Sequence, residues 1–206
     1  MKHAQRGRFI TVEGGEGTGK STLIQGLREA LPPETLFTRE PGGSEGAEEI
    51  RALLVTGEAG RWDATAETLL LNAGRRDHVI RVIEPAMRKG CDVICDRFVD
   101  STRVYQGQRG VSRDSIDRLH EEFVGLDPSL TFVLDAPAQI GLERASARGG
   151  AERFESMGLE FHAAVREAFL DIAASEPKRC SVIDARMTEQ EVLSEAISLI
   201  AARLNT

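Results

Sequence analysis

The stretch Glu13–Thr22, EGGEGTGKST, limits the architecture more than any other part of the chain. Gly14 to Ser21 fits the pattern G-x-x-x-x-G-K-[ST], with the apolar run RFITVE (8–13) before it and a segment of helical spacing (20–31) after it. A strand, a glycine-rich turn and a helix in that order make a phosphate-holding loop. Glycines let backbone N–H groups converge on phosphate oxygens, and the start of the helix adds the positive end of its dipole. Gly14, Gly15, Glu16, Gly17, Thr18 and Gly19 are the candidate cradle. Lys20 is placed to reach the β- and γ-phosphates, and the Ser21 hydroxyl, followed by Thr22, to ligate Mg²⁺. The expected ligand is a nucleoside triphosphate with magnesium.

The rest of the chain repeats the alternation. TLFTRE (35–40), CDVICD (91–96), LTFVLD (130–135) and CSVID (180–184) read as strands. Helical spacing recurs near 45–55, 64–89, 113–125, 138–147, 155–175 and 188–204. Such alternation implies parallel strands joined by crossover helices. The strands are nearly continuous in apolar character, as in a sheet covered on both faces. The expected fold is α/β: a doubly wound, P-loop NTP hydrolase-like three-layer sandwich, a five-stranded parallel sheet flanked by helices, in a single domain over 1–206. Ligands of such folds bind at the carboxyl ends of the strands.

Composition narrows the partners. A net charge of −7 argues against a dedicated nucleic-acid surface, but not against a small anion held by local arginines. No run of 18 apolar residues occurs, so no membrane span is expected. The opening MKHAQRGRF lacks the apolar core of a secretory leader. Three cysteines (Cys91, Cys95, Cys180) are an odd number without metal-ligand spacing, and read as free thiols of a reducing cytosol. A cytoplasmic location is expected.

A GTPase switch needs D-x-x-G after the loop and N-K-x-D or T-K-x-D for guanine; neither pattern occurs. A small chain with one phosphate loop fits a kinase of small molecules, which needs positive charge for its acceptor and a cover that excludes water. TREPGGSEG (38–46) places Arg39 past a strand end, and CDRFVDSTRVYQG (95–107) places Asp96 and Arg97 past another. Asp96 suits a carboxylate that supports Mg²⁺, directly or through water, and Arg97 can fork onto a phosphate. The bland reading of each is a surface ion pair. ERASARGGAERFE (143–155) suits the cover: Gly149-Gly150 supplies a tip, and Arg144, Arg148 and Arg153 supply charge, with 144 and 148 on one helix face. Its bland reading is a solvated, arginine-rich loop.

Together these motifs resemble the thymidylate kinase family over essentially the whole chain. The matching segments are EGGEGTGKST, FTREPGG (37–43), CDRFVDST-x-x-YQG (95–107), DPSLTFVLD (127–135), ARGGAERFE (147–155) and VIDA (182–185). The resemblance implies phosphorylation of dTMP to dTDP with ATP and Mg²⁺, in dTTP biosynthesis, by direct in-line transfer. It implies a catalytic set of Lys20, Arg97, Arg148 and Arg153. Many members carry an arginine in the phosphate loop where this chain has Gly17; a second type moves it to the lid, and this sequence looks like that type, with Arg148 or Arg153 meeting the transferring phosphoryl group.

On the acceptor side the resemblance implies that Arg39 and Arg97 hold the thymidylate phosphate and that Glu16 lies near the 3′-hydroxyl. Arg75 would read the thymine O4 edge and Thr102 lie beside the base, with Ser101 and Gln106 also in the acceptor site. Tyr105 would fill the place of a 2′-hydroxyl. Arg144 would lie against adenine, near the turn after Val182–Ala185. Leu71 stands where many members stack a phenylalanine on thymine, which opens a second reading: a kinase of another nucleotide or of a deoxynucleoside. A third is an ATP-binding sensor without catalysis. Family members are similar in being homodimers, and 64–89 suits a self-complementary interface. Arg103 reads as a solvent-facing loop charge, Trp62 as a packing or interface anchor, and His78, His120 and His162 as helix-surface or packing groups.

Overall fold

The computed structural model describes residues 6–56, 60–148 and 157–204. Five parallel strands form one sheet in the order β2-β3-β1-β4-β5: β1 (Phe9–Gly14), β2 (Leu36–Arg39), β3 (Val93–Asp96), β4 (Leu130–Asp135) and β5 (Cys180–Asp184). The expected sheet and its covering layers are therefore present. Every residue of β1 is buried, as a central strand covered on both faces requires.

Period-two alternation sorts the core. Ile10 and Val12 of β1, with Leu130, Phe132 and Leu134 of β4, face Leu23 and Leu27 of α1 (Lys20–Ala30) and Val192, Ala196 and Ile200 of α9 (Glu189–Leu204). On the other face, Phe9, Val93 and Cys95 meet Val79, Ile83 and Met87. Val133 there meets Val165, Phe169 and Ile172 of α8 (Leu159–Ser175). Two further helices, α2 (Glu45–Val55) and α7 (Ala138–Arg148), follow the ends of β2 and β4. Among the described residues, no helix is long and apolar enough to cross a membrane. The three cysteines are free.

Several local expectations change. The stretch 64–89 is α3 (Ala64–His78), a π-helical turn (Val79–Ile83) and α4 (Glu84–Arg88). The stretch 113–125 is α6 (Arg113–Leu119) and a second π-helical turn (His120–Val124). Residues Val99–Tyr105 form helix α5, where the sequence pattern suggested no helix. Arg103 is therefore not a solvent-facing loop charge. It is nearly buried on α5, donating to Asp100 at 2.7 Å and to Asp117 of α6 at 2.7 Å. His78, His120 and His162 are all buried, so packing holds and the helix surface does not. Trp62 donates its indole N–H to the Leu53 carbonyl at 3.0 Å.

Candidate active site

Strand order places the site. From β1 the chain crosses toward β2, and from β3 it returns past β1 to β4, so the crevice between β1 and β3 opens at their carboxyl ends. The phosphate loop leaves β1 and Asp96–Arg97 leaves β3, with Val12 in register with Asp96.

The loop has the expected backbone. Gly19 caps α1 at φ +89° and Gly17 turns at φ +67°, both left-handed conformations that favour glycine. The Thr18 hydroxyl donates to the Gly15 carbonyl at 3.0 Å. The Lys20 ammonium donates to the carbonyls of Gly14 at 3.1 Å and Gly15 at 2.7 Å. Burial, with Arg97 adding to it, pulls its pKa down to about 8. Ser21 and Thr22 are exposed on the first turn of α1.

Arg97 ties the loop to its neighbour. It adopts φ +67°, unusual for a side-chain-bearing residue. Its guanidinium donates to the Gly14 carbonyl at 3.2 Å, to Ser101 at 3.1 Å and to Glu16 at 3.0 Å. The Tyr105 hydroxyl donates to the same Glu16 oxygen at 2.8 Å. Burial pushes the Glu16 carboxyl up, but Arg97 and Lys20 outweigh it and hold the group below its usual range. Under this turn lies Glu13, fully buried, which accepts from the Phe98 N–H at 2.7 Å and the Ser101 hydroxyl at 2.6 Å. Burial, then the nearby Asp100, pushes the Glu13 carboxyl up to about 7.

Beside Arg97 opens a cavity of about 420 Å³. It brings together Glu16, Arg39, Leu71, Arg75, Asp96, Arg97, Ser101, Thr102, Tyr105 and Gln106 from the sequence-predicted set. Arg75 is held inside it: Nε donates to Glu40 at 2.7 Å, one Nη donates to Thr102 at 2.9 Å, and the other Nη is buried without a partner among the described residues. Glu40 also meets His78 at 3.2 Å, whose second nitrogen meets Thr38 at 2.7 Å. Arg39 is half exposed and pairs with Glu48 at 3.0 Å.

Asp96 lines the cavity, and its Oδ1 is buried without a hydrogen-bond partner among the described residues. No group of three His, Cys, Asp or Glu that could hold a metal occurs among those residues. Mg²⁺ commonly takes one or two protein oxygens and completes its shell with phosphates and water, so a lone open carboxylate beside a phosphate loop fits it.

On the donor side, Arg144 of α7 donates to the Ala185 carbonyl at 2.9 Å, bringing it against the turn after β5. The Arg148 side chain and Arg153 lie outside the described residues, as does 149–155 of the expected cover. Sequence reasoning did not single out Glu13, Glu40, Arg51 or Glu67. A carboxylate closing an otherwise apolar strand is the signal that marks Glu13. Arg51 and Glu67 line the cavity from α2 and α3 and carry no such mark.

A phosphate loop at the end of the first strand, joined by one arginine to an arginine-bearing cavity, defines a P-loop kinase of small anionic acceptors. The sequence profile described as thymidylate kinase matches residues 12–196. A thymidylate kinase of Caulobacter vibrioides is 53% identical over 94% of this chain and 95% of its own length. That of Bradyrhizobium diazoefficiens is 51% identical over 99% and 93%. The crystal structure of thymidylate kinase from Ehrlichia chaffeensis superposes with a TM-score of 0.76 at 33% identity, covering 95% of this chain and 99% of that one. The chain belongs to the thymidylate kinase family.

Proposed function

We propose that this chain transfers the γ-phosphoryl group of ATP to dTMP, giving dTDP and ADP, in one in-line step with Mg²⁺. As a member of the thymidylate kinase family it is a phosphotransferase acting on thymidylate. The observation that carries the fuller reading is Arg97, which donates to the phosphate-loop carbonyl of Gly14 and lines the acceptor cavity. Two anions gripped on either side of that guanidinium stand end to end, and holding reactants in line supplies much of the rate in phosphoryl transfer.

In this reading Gly14–Thr22 hold the ATP phosphates, Arg144 lies by the adenine, and Ser21 and Asp96 hold the cation, which when bound neutralises charge on the phosphates. Arg39 and Arg97 hold the acceptor phosphate. Glu16, Tyr105 and Ser101 meet the deoxyribose side, and Leu71, Arg75, Thr102 and Gln106 meet the base. The unpartnered Arg75 nitrogen supplies a donor for a carbonyl edge. Lys20, with Arg148 or Arg153, stabilises charge on the equatorial oxygens. A Cβ at Gly17 would lie 1.9 Å from the Gly141 carbonyl oxygen, which supports a lid rather than a loop arginine.

We propose one domain over 1–206 with a lid near 143–155, action in the cytoplasm, no nucleic-acid or membrane partner, and a homodimer joined through α3 and the π-helical turn after it, where Leu69 and Ile80 are 51% and 42% exposed. The test of the activity is ADP release against a panel of monophosphates and nucleosides. Thymidylate should be the preferred acceptor, and rapid ATP hydrolysis without any acceptor would contradict the transfer. Inversion at a chiral thiophosphate would support a single in-line step, and retention would end it. Sedimentation tests the dimer.

A further inference from the structure

Helix α7 rests directly on the phosphate loop. A Cβ built on Gly17 would lie 1.9 Å from the carbonyl oxygen of Gly141, and one built on Gly141 would lie 2.3 Å from the carbonyl oxygen of Glu16. Both glycines are buried. These contacts are backbone against backbone, so no rotamer change relieves them; a side chain must push helix and loop apart.

The two positions differ in what the local fold requires. Gly17 has φ +67°, where any side chain is strained. Gly141 lies inside α7 and is not among the positive-φ residues. There helix propensity favours alanine over glycine. Glycine at 141 thus costs the helix stability, and the contact with Glu16 is what it permits. Glu16 carries three relationships at once: its carbonyl meets α7, its backbone is part of the loop, and its carboxylate accepts from Arg97 and Tyr105.

We propose that Gly141 is a positioning residue for phosphoryl transfer: by lacking a side chain it seats α7 on the Glu16–Gly17 peptide, and through Glu16 it sets the donor loop against the Arg97 side of the acceptor cavity. This rests on reading Gly14–Ser21 as the donor site. A methyl at 141 needs about 3.3 Å from the Glu16 oxygen, and a misplacement of about 1 Å can cost about 10²-fold in rate.

The experiment compares wild type, Gly141→Ala and, as control, Gly158→Ala, whose Cβ would meet nothing within 4 Å among the described residues. Turnover, ADP affinity by calorimetry and thermal melting are measured on each. Gly141→Ala should stay folded with Tm lowered by at most about 8 °C, since overpacking outweighs the gain in helix propensity, and should lose about 10²-fold in kcat and bind ADP at least about fivefold more weakly. Gly158→Ala should stay within about twofold of wild type. Turnover and ADP affinity of Gly141→Ala within about twofold of wild type would overturn the assignment. So would an equal loss in Gly158→Ala, or loss of the folded state in Gly141→Ala, since the role would then be general packing. If wild type itself fails to bind ADP, the donor-site reading falls as well; if it binds and the variant matches it, only this inference falls.

Discussion

The Arg97 guanidinium donates to the Glu16 carboxylate at 3.0 Å, across the boundary between the phosphate loop and the acceptor cavity. Arg97 holds this pose from a backbone at φ +67°. Its N–H donates to the Val12 carbonyl at 3.0 Å, while Glu13 anchors the next N–H. The left-handed turn is thus over-determined by the strand beneath it.

Replacing Arg97 separates its two roles. Arg97→Ala and Arg97→Gly both remove the guanidinium, and each should lower kcat/KM for thymidylate by about 10²–10³. They should differ in stability. Alanine in the left-handed region costs about 1–2 kcal/mol and glycine avoids that cost, though glycine gives part of it back as chain entropy. Urea unfolding should therefore find the glycine variant more stable by about 1 kcal/mol. Equal midpoints and slopes would show that the turn is not strained.

Lys20 should make stability depend on alkaline pH. Its folded pKa is lowered by burial to about 8, against 10.5 for the ordinary side chain. Between those values the unfolded chain holds a proton that the folded protein has released. Stability from this group therefore rises with pH across that window and is absent below it. Lys20→Met should flatten the rise when the two proteins are unfolded in urea at about pH 8 and about pH 10. The same variant should lose turnover and keep its fold. Phosphates restore the charged form, so ADP binding at about pH 9 should take up a proton in wild type and not in the variant. Calorimetry in buffers of different ionisation heat reads that difference, and equal uptake would remove Lys20 from the phosphate site.

What the sequence made legible was whatever is local. The phosphate loop is a contiguous motif with its own backbone logic, and β4 and β5 are nearly continuous apolar runs, broken only by Thr131 and Ser181, whose ends stand where the runs stop. Helix α5 escaped because VDSTRVY is poor in strong helix formers. It forms because Glu13 binds its start and because Asp100 and Arg103 are paired in the packed interior, with Arg179 and Asp117 respectively. Beyond Arg39, Asp96 and Arg97, which the strand ends marked, the acceptor cavity was legible only through the family resemblance. Its wall takes Arg51 from α2, Glu67 from α3 and Gln106 from beyond α5, residues that only the strand order brings together.

Leu71 lines the cavity and is partly buried. A phenylalanine there would offer a ring face to the base. Stacking is worth about 0.5–1.5 kcal/mol beyond area burial, so Leu71→Phe should lower KM for thymidylate about two- to tenfold with kcat little changed. A raised KM would mean that the leucine already fills the space against the base.

Glu40 and Arg75 form a buried ion pair at 2.7 Å, with side chains 5% and 2% exposed. Such a pair is poor evidence for stability, since desolvation consumes most of the attraction. Removing one partner leaves the other buried and uncompensated, so Glu40→Ala should cost about 3–5 kcal/mol in urea unfolding. Arg75 would then keep its hydrogen bond to Thr102 and its place over the Phe98 ring, neither of which carries an opposite charge. The double variant Glu40→Met, Arg75→Leu removes both charges, and should return near wild-type stability, above Glu40→Ala alone by about 3–5 kcal/mol. Both proteins should lose thymidylate affinity, because each loses the oriented guanidinium. That combination, stability regained without binding, identifies the pair as a recognition device; a double variant less stable than the single would make it a structural one.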